Sequence, residues 1–175
     1  MRHLLITGAR DAKCGALLAE VIETLGLTAG GGFRTIMDGP DAGGSEPVYL
    51  YGMDEPQTRD LKHLAGRCKD FQATGYPEVF DAFVPKLAVL PPKGTIILLD
   101  QLGLMENQAR SFQKAVLDLL DGDIPVLAAV RLLDTPFLNA VRAHPNALCL
   151  RLTAENREEI YQEALAFLRR AGEGG

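Results

Sequence analysis

Two stretches carry the residue types that chemistry needs. In the first, Leu4-Leu5-Ile6-Thr7-Gly8 runs as an apolar segment into Ala9-Arg10-Asp11-Ala12-Lys13-Cys14-Gly15, and Leu17, Leu18, Val21, Ile22 and Leu25 then recur at helical spacing. A strand, a Gly-headed loop and a helix form the frame that wraps a phosphate: backbone N–H groups and the positive helix end face the anion. In the second, Thr95-Ile96-Ile97-Leu98-Leu99-Asp100-Gln101 is a buried-type strand closing on an acid. An Asp in that place holds Mg²⁺ through water, and a Glu directly after it polarises the attacking water.

Both stretches depart from the working pattern. A phosphate loop reads G-x-x-x-x-G-K-[ST], with Lys on the β/γ oxygens and a hydroxyl on Mg²⁺. Counting from Gly8 places Lys13 at the second Gly, Cys14 at the Lys and Gly15 at the hydroxyl. Shortening the loop by one residue makes Lys13 the phosphate lysine, with Ala12 for the Gly and Cys14 for the hydroxyl. Either register lacks the metal-binding hydroxyl. A non-Gly residue forced into the left-handed region costs about 1–2 kcal/mol, so the loop is expected to leave the standard cradle shape. Asp11 adds a carboxylate whose repulsion against a phosphate at roughly 4–6 Å is about 3–4 kcal/mol at an effective dielectric near 20; Arg10 offsets part of it.

At the second stretch, Gln101 can orient water but cannot take its proton, which removes base catalysis worth about 10²–10⁴ in rate. Cys14, at a helix N-terminus beside Lys13, is either a thiolate of lowered pKa or an inert replacement for a lysine. The candidate phosphate-binding residues are therefore Gly8, Ala12, Lys13, Cys14 and Gly15. Asp100 is the candidate metal ligand, and no residue stands as a catalytic base.

The elements that must position these residues are legible as apolar runs. His3–Thr7, Thr95–Asp100, Pro125–Val130 and Ala147–Leu152 have the composition of strands buried on both faces. Helical patterns over Lys13–Leu25, Pro77–Leu90, Glu106–Leu120, Thr135–Ala143 and Ala154–Arg170 alternate with them, with Thr153 as the expected cap of the last. This βαβ order predicts an α/β fold with a mostly parallel sheet between two helical layers. Phe33–Met37 and Val48–Tyr51 bracket a Gly/Pro-rich stretch and predict an antiparallel edge hairpin over about 33–51. A short helix is expected over Gln57–Ala65, and a frayed tail over 171–175.

The whole, 175 residues, suits one domain. A net charge of −5, with no basic cluster longer than Arg169-Arg170, argues against nucleic acid. No apolar run spans a bilayer, and Met1-Arg2-His3 leads straight into a strand, so a cytoplasmic location is expected. Cys14, Cys68 and Cys149 lack C-x-x-C spacing and read as free thiols, and His3, His63 and His144 as structural or surface residues. A short-chain dehydrogenase reading fails, because no Tyr has a Lys four residues later.

Taken together, Ile6-Thr7-Gly8, Gly32-Phe33-Arg34-Thr35, Asp100-Gln101-Leu102-Gly103-Leu104-Met105-Glu106, Phe112-Gln113-Lys114-Ala115-Val116 and Leu152-Thr153-Ala154-Glu155-Asn156-Arg157 resemble the pattern of the small P-loop nucleoside-triphosphatases. That family is typified by the cancer-related human NTPase and its thermophile relatives. The resemblance covers nearly the whole chain. It implies a three-layer, RecA-like fold with a nucleotide site at the carboxyl ends of the strands, and Mg²⁺ with ATP or GTP as cofactor and substrate. The departures fall on the phosphate loop, on Gln101 where the family has Glu, and on Leu104 where it has Lys. Three readings stay open: a nucleotide-binding regulatory or partner protein with little or no hydrolysis, a slow Mg²⁺-dependent triphosphatase using Lys13, and an interaction module that has abandoned nucleotides.

Overall fold

The computed structural model describes residues 1–173. The chain runs β1 (His3–Gly8), α1 (Cys14–Leu25), β2 (Ala29–Met37), β3 (Glu46–Gly52), β4 (Leu64–Lys69), β5 (Gln72–Gly75), α2 (Pro77–Leu87), β6 (Ile96–Leu102), α3 (Arg110–Asp121), β7 (Val126–Arg131), α4 (Pro136–Arg142), β8 (Ala147–Arg151) and α5 (Arg157–Glu173). The strands form one sheet in the order β5-β4-β3-β2-β6-β7-β1-β8. From β2 to β8 every pairing is parallel; from β5 to β2 every pairing is antiparallel.

The alternation of strand side chains sorts the core into two layers, as the period-2 geometry requires. Leu5, Leu99, Ala128 and Val130 face α2, α3 and α4, packing with Phe80, Phe112 and Phe137. Leu4, Ile6, Leu98, Leu127 and Ala129 face α1 and α5, packing with Leu17, Val21, Ile160 and Ala164. The four apolar strands expected to be parallel neighbours are so. His3 is buried in the sheet between β7 and α3: it takes the Val126 N–H at 3.0 Å on Nδ1, and its Nε2 lies 2.9 Å from the Leu120 carbonyl. Burial lowers its pKa, so it serves the core as a neutral ring.

Three expectations are corrected. First, the strand expected at Phe33 begins at Ala29 and pairs parallel to β6, so it belongs to the parallel sheet, and only β3, β4 and β5 extend it antiparallel. Second, no helix forms over 57–65. Turns lead instead into β4, which pairs with β3 and with β5. Glycine makes this edge possible: Gly66 and Gly75 are register partners, and a Cβ on either would collide with Met105. Third, two helices start late. Glu106 turns its carboxylate back onto the Gly103 N–H, and α3 begins only at Arg110, with the Phe112 N–H capped by Asp81 Oδ1 at 3.1 Å. At α5, Asn156 Oδ1 takes the Thr153 N–H at 2.7 Å, so the turn that Thr153 was expected to cap is not yet helical. Of the expected frayed tail, Ala171–Glu173 complete α5; residues 174 and 175 lie outside the described residues.

Candidate functional site

The carboxyl ends of β1, β6 and β7 meet the start of α1 around a cavity of about 240 Å³ lined by Gly8, Arg10, Lys13, Gly15, Asp100, Gln101 and Arg131, among others. The loop after β1 folds as one 3₁₀ turn, Arg10–Ala12, closed by the Ala12 N–H on the Ala9 carbonyl at 3.0 Å. Lys13 follows at φ 60°, ψ 50°, in the left-handed region, and α1 begins at Cys14. The right-handed then left-handed succession at Ala12-Lys13 is the backbone of an anion nest. The loop therefore keeps more of a phosphate-binding shape than its composition predicts, at the cost of a lysine in a glycine conformation.

That conformation decides between the two registers. Lys13 occupies the left-handed position that belongs to the second glycine, which assigns Cys14 to the place of the lysine and Gly15 to the place of the hydroxyl. Cys14 is buried, and burial pushes its thiol up to about 11; its Sγ would lie 3.1 Å from a Cβ on Gly8. The reactive-thiolate possibility is thereby corrected, because desolvation outweighs the helix end. Gly15 lies directly beneath Asp100: a Cβ on Gly15 would sit 2.6 and 2.9 Å from the two carboxylate oxygens. Ala12 packs behind the loop, where a Cβ on Gly8 would lie 2.8 Å from its own Cβ, and it does not line the cavity. Lys13 is exposed at the cavity mouth, and among the described residues its side chain makes no hydrogen bond or ion pair.

Asp100 is half-buried, and burial raises its pKa against the opposing charge of Arg34, its register partner on β2. The Asp100–Gln101 peptide is cis. Thr35 Oγ1 takes the Gln101 N–H at 3.2 Å and lies 3.4 Å from the Asp100 carbonyl, tying β2 to the end of β6. Asp11 does not enter the cavity; it faces a separate cleft with Leu152, Thr153 and Arg157. The repulsion expected from it is therefore not directed at this cavity.

The cation that loop reasoning missed is Arg131, the last residue of β7 and the register partner of Gly8. Its Nε is buried without a hydrogen-bond partner, and among the described residues its guanidinium joins no ion pair. Burial lowers its pKa, and the charge of Arg10 lowers it further. Arg10 itself reaches Met37 Sδ at 3.2 Å and Glu46 only at 3.9 Å. A signal existed in the sequence: Val126-Leu127-Ala128-Ala129-Val130 is wholly apolar and ends abruptly in a charge. A second cavity of about 470 Å³ continues from the first past Thr35, Gln101 and Arg131 toward Phe71 and Glu106. Glu106 is fully buried there, and desolvation pushes its carboxyl up to about 8.

Comparison with known proteins bears on the same elements. Residues 64–165 match the model of a family described as NTPase. Nucleoside-triphosphatase THEP1 of Thermotoga sp. (strain RQ2) is 25% identical over 174 residues, covering 95% of each chain. The protein of that name from Aquifex aeolicus (strain VF5) is 31% identical over 77 residues, a span of 43% of each chain. The crystal structure of THEP1 from the hyperthermophile Aquifex aeolicus superposes with a TM-score of 0.69 at 22% identity, covering 95% of this chain and 98% of that one. At that identity, it is the fold that is shared.

Proposed function

Since this chain belongs to the NTPase family, we propose that its cavity binds a nucleoside triphosphate, ATP or GTP, with little or no hydrolysis, and that the protein acts as a regulatory or partner protein. The observation that carries this is Gly15 beneath Asp100. Where a metal-dependent site needs a hydroxyl beside the carboxylate, there is no side chain, and the carboxylate itself fills the room a Cβ would take. Mg²⁺ would supply charge neutralisation between the β- and γ-phosphates, but the donors present fit it poorly. Such an ion asks of the protein one carboxylate and one hydroxyl; Asp100 lines the cavity, and Gly15 leaves the hydroxyl's place without a side chain. Gln101, at the position of a catalytic acid, can hold a water by hydrogen bonds and cannot accept its proton.

Binding is supported separately from turnover. The Ala12 N–H is taken by the Ala9 carbonyl, which leaves the N–H groups from Lys13 into the first turn of α1 to meet an anion, and Arg10, Lys13 and Arg131 line the same cavity. We read residues 1–175 as one domain acting in the cytoplasm; among the described residues no helix is long and apolar enough to cross a membrane. A second reading, slow Mg²⁺-dependent hydrolysis, is favoured by one observation: Lys13 stands free at the cavity mouth.

Calorimetric titration with ATP and GTP in Mg²⁺, together with steady-state phosphate release, tests both. The expected result is binding with phosphate release at background, unchanged by Gln101→Glu, because the loop leaves the γ-phosphate unpositioned. Turnover that disappears in Lys13→Ala would establish the second reading instead. Absence of binding to either nucleotide would leave an interaction module.

A further inference from the structure

We infer that Arg131, assisted by Arg10, is the principal anion-binding group of the cavity at the head of α1, and that it holds a phosphate-bearing anion without a divalent cation. This rests on reading the cavity as a phosphate site and deepens that reading. A buried guanidinium nitrogen without a partner is an unfavourable arrangement for an isolated protein, since an unpaired buried polar group costs more than an average hydrogen bond returns. It is the arrangement expected of a group whose partner is a ligand. The charged neighbour acting on Arg131 is a second cation, Arg10, so the protein supplies repulsion at this point and an anion would relieve it.

The composition of the lining agrees. Three cations, Arg10, Lys13 and Arg131, face one carboxylate, Asp100. That carboxyl is desolvated, and the charge acting on it is that of Arg34 on β2, not of any of these three cations. A phosphate-bridging Mg²⁺ asks of the protein one carboxylate and a hydroxyl beside it, its other ligands being waters and phosphate oxygens; Gly15 stands where that hydroxyl would be and offers none. Arginine is suited to replace the metal because its planar fork donates two parallel hydrogen bonds to a phosphate and its charge is permanent. The volume of about 240 Å³ is below the ~300–1,000 Å³ of sites that enclose whole drug-sized ligands, so it suits the charged end of a ligand.

Position explains how the cation came to stand there. β7 lies between β6 and β1, and the register sets Arg131 beside Gly8, across the cavity from the helix where the lysine of a standard loop would be. Its side chain passes Gly103, just after β6, where a Cβ would lie only 3.2 Å from Arg131 Cγ, so the missing side chain leaves room for the arginine stem.

The test is calorimetric titration of the full chain with inorganic pyrophosphate, ADP and ATP, in EDTA and again in excess Mg²⁺, on the wild type, Arg131→Met and Lys13→Ala. Wild type is expected to bind at least one of the three in EDTA, with affinity no more than twofold weaker than in Mg²⁺. Arg131→Met is expected to weaken that binding at least tenfold, and Lys13→Ala by less than about fivefold, as for an exposed charge. Thermal melts show that the variant is folded; Arg131→Met should melt close to the wild-type temperature, since the Nε it removes makes no hydrogen bond in the free protein. Binding that requires Mg²⁺, a loss of less than tenfold in Arg131→Met, or no binding of any probe in EDTA would each overturn the inference. The outcomes separate from those of the functional reading. Phosphate release at steady state would refute the non-hydrolysing reading while metal-free binding through Arg131 stood, and Mg²⁺-dependent ATP binding lost in Lys13→Ala would do the reverse.

Discussion

Replacing Lys13 by glycine tests the assignment of the loop register through stability alone. Lys13 sits at φ 60°, ψ 50°, close to the centre of the left-handed well at about +57°, +47°. An L-residue there suffers contact between Cβ and the following carbonyl oxygen, worth about 1–2 kcal/mol, and glycine does not. Against this, glycine has more freedom to lose on folding, about 0.5–1 kcal/mol. The lysine side chain is exposed, and among the described residues it makes no hydrogen bond or ion pair, so its removal gives up no bond. The difference is a net stabilisation of about 0.5–1 kcal/mol by Lys13→Gly.

For a domain of this size, 1 kcal/mol moves the melting temperature by about 2–4 °C, so the expected rise is about 1–4 °C, measured by calorimetric melting in phosphate-free, metal-free buffer. Lys13→Ala is the internal control: it removes the same side chain, keeps the Cβ, and should leave the temperature within about 2 °C of wild type, since surface substitutions of this kind lie within ±0.5 kcal/mol. A drop in Lys13→Gly, or an equal rise in both variants, would refute the assignment. The first would mean the lysine stem is packed, and the second that charge and not backbone conformation dominates there.

Three further outcomes rest on side chains away from the loop. Burial pushes the Glu106 carboxyl up to about 8 from an ordinary 4.5, so its contribution to stability is full below 4.5 and falls as pH rises through 8, by at most about 1.4 kcal/mol per pH unit. Glu106→Gln, whose amide oxygen can still accept the Gly103 N–H, should flatten that fall between melts at pH 5 and pH 8; an unchanged slope contradicts it. His63 is desolvated, yet Glu55 and Asp60 bond both its ring nitrogens at 2.7 and 2.6 Å and raise its pKa. Its NMR titration should therefore have a midpoint above 6.5, with the contribution to stability lost as pH rises through that midpoint; a midpoint below 6.5 contradicts the paired arrangement. At the β4–β5 turn, Asp70 and Phe71 have φ of 51° and 64°, and Phe71 is fully exposed. Phe71→Gly gives the Asp-Gly pair this turn favours and should gain about 0.5–1 kcal/mol in urea unfolding, whereas a loss would reveal a packing role for the ring.

The parallel half of the fold was legible because β1, β6, β7 and β8 are short apolar runs, and a strand covered on both faces has no other composition open to it. The β2–β3 hairpin of the antiparallel edge was legible too, from the Gly/Pro-rich stretch it brackets, but the two strands beyond it were not. Leu64-Ala65-Gly66-Arg67-Cys68-Lys69 has neither alternation nor β-branched residues, and what makes it a strand is the close approach of Met105, distant in sequence, to the bare backbone of Gly66 and Gly75. The start of β2 was hidden similarly. Ala29-Gly30-Gly31-Gly32 reads as loop, and it is strand because the edge of β6 needs a partner. Within the site, Gly15 and Asp100 were found by spacing, since a motif counts residues along one segment. Arg131 belongs to no such segment; it reaches the loop through strand order, which spacing does not encode.

Strand order also explains why binding and turnover part company on the proposals above. Putting Cys14 where a phosphate loop has its lysine removes a charge from the helix side of the cavity, and Arg131 supplies charge from the strand side, with Arg10 from the loop. Coulomb attraction falls only as the inverse of distance, so a cation displaced by a few ångströms still draws in a phosphate, and a fork-shaped guanidinium still bonds it. Phosphoryl transfer does not tolerate the same displacement: in-line geometry is worth several kcal/mol, and a misplacement of about 1 Å costs on the order of 10²-fold. Moving the cation to β7 therefore preserves the attraction and forfeits the alignment. The absence of a hydroxyl at Gly15 and of a base at Gln101 has the same sense, since neither is needed to hold an anion and both are needed to cleave one. On the proposal above, an arginine-held phosphate would therefore leave this cavity by dissociation and not by cleavage.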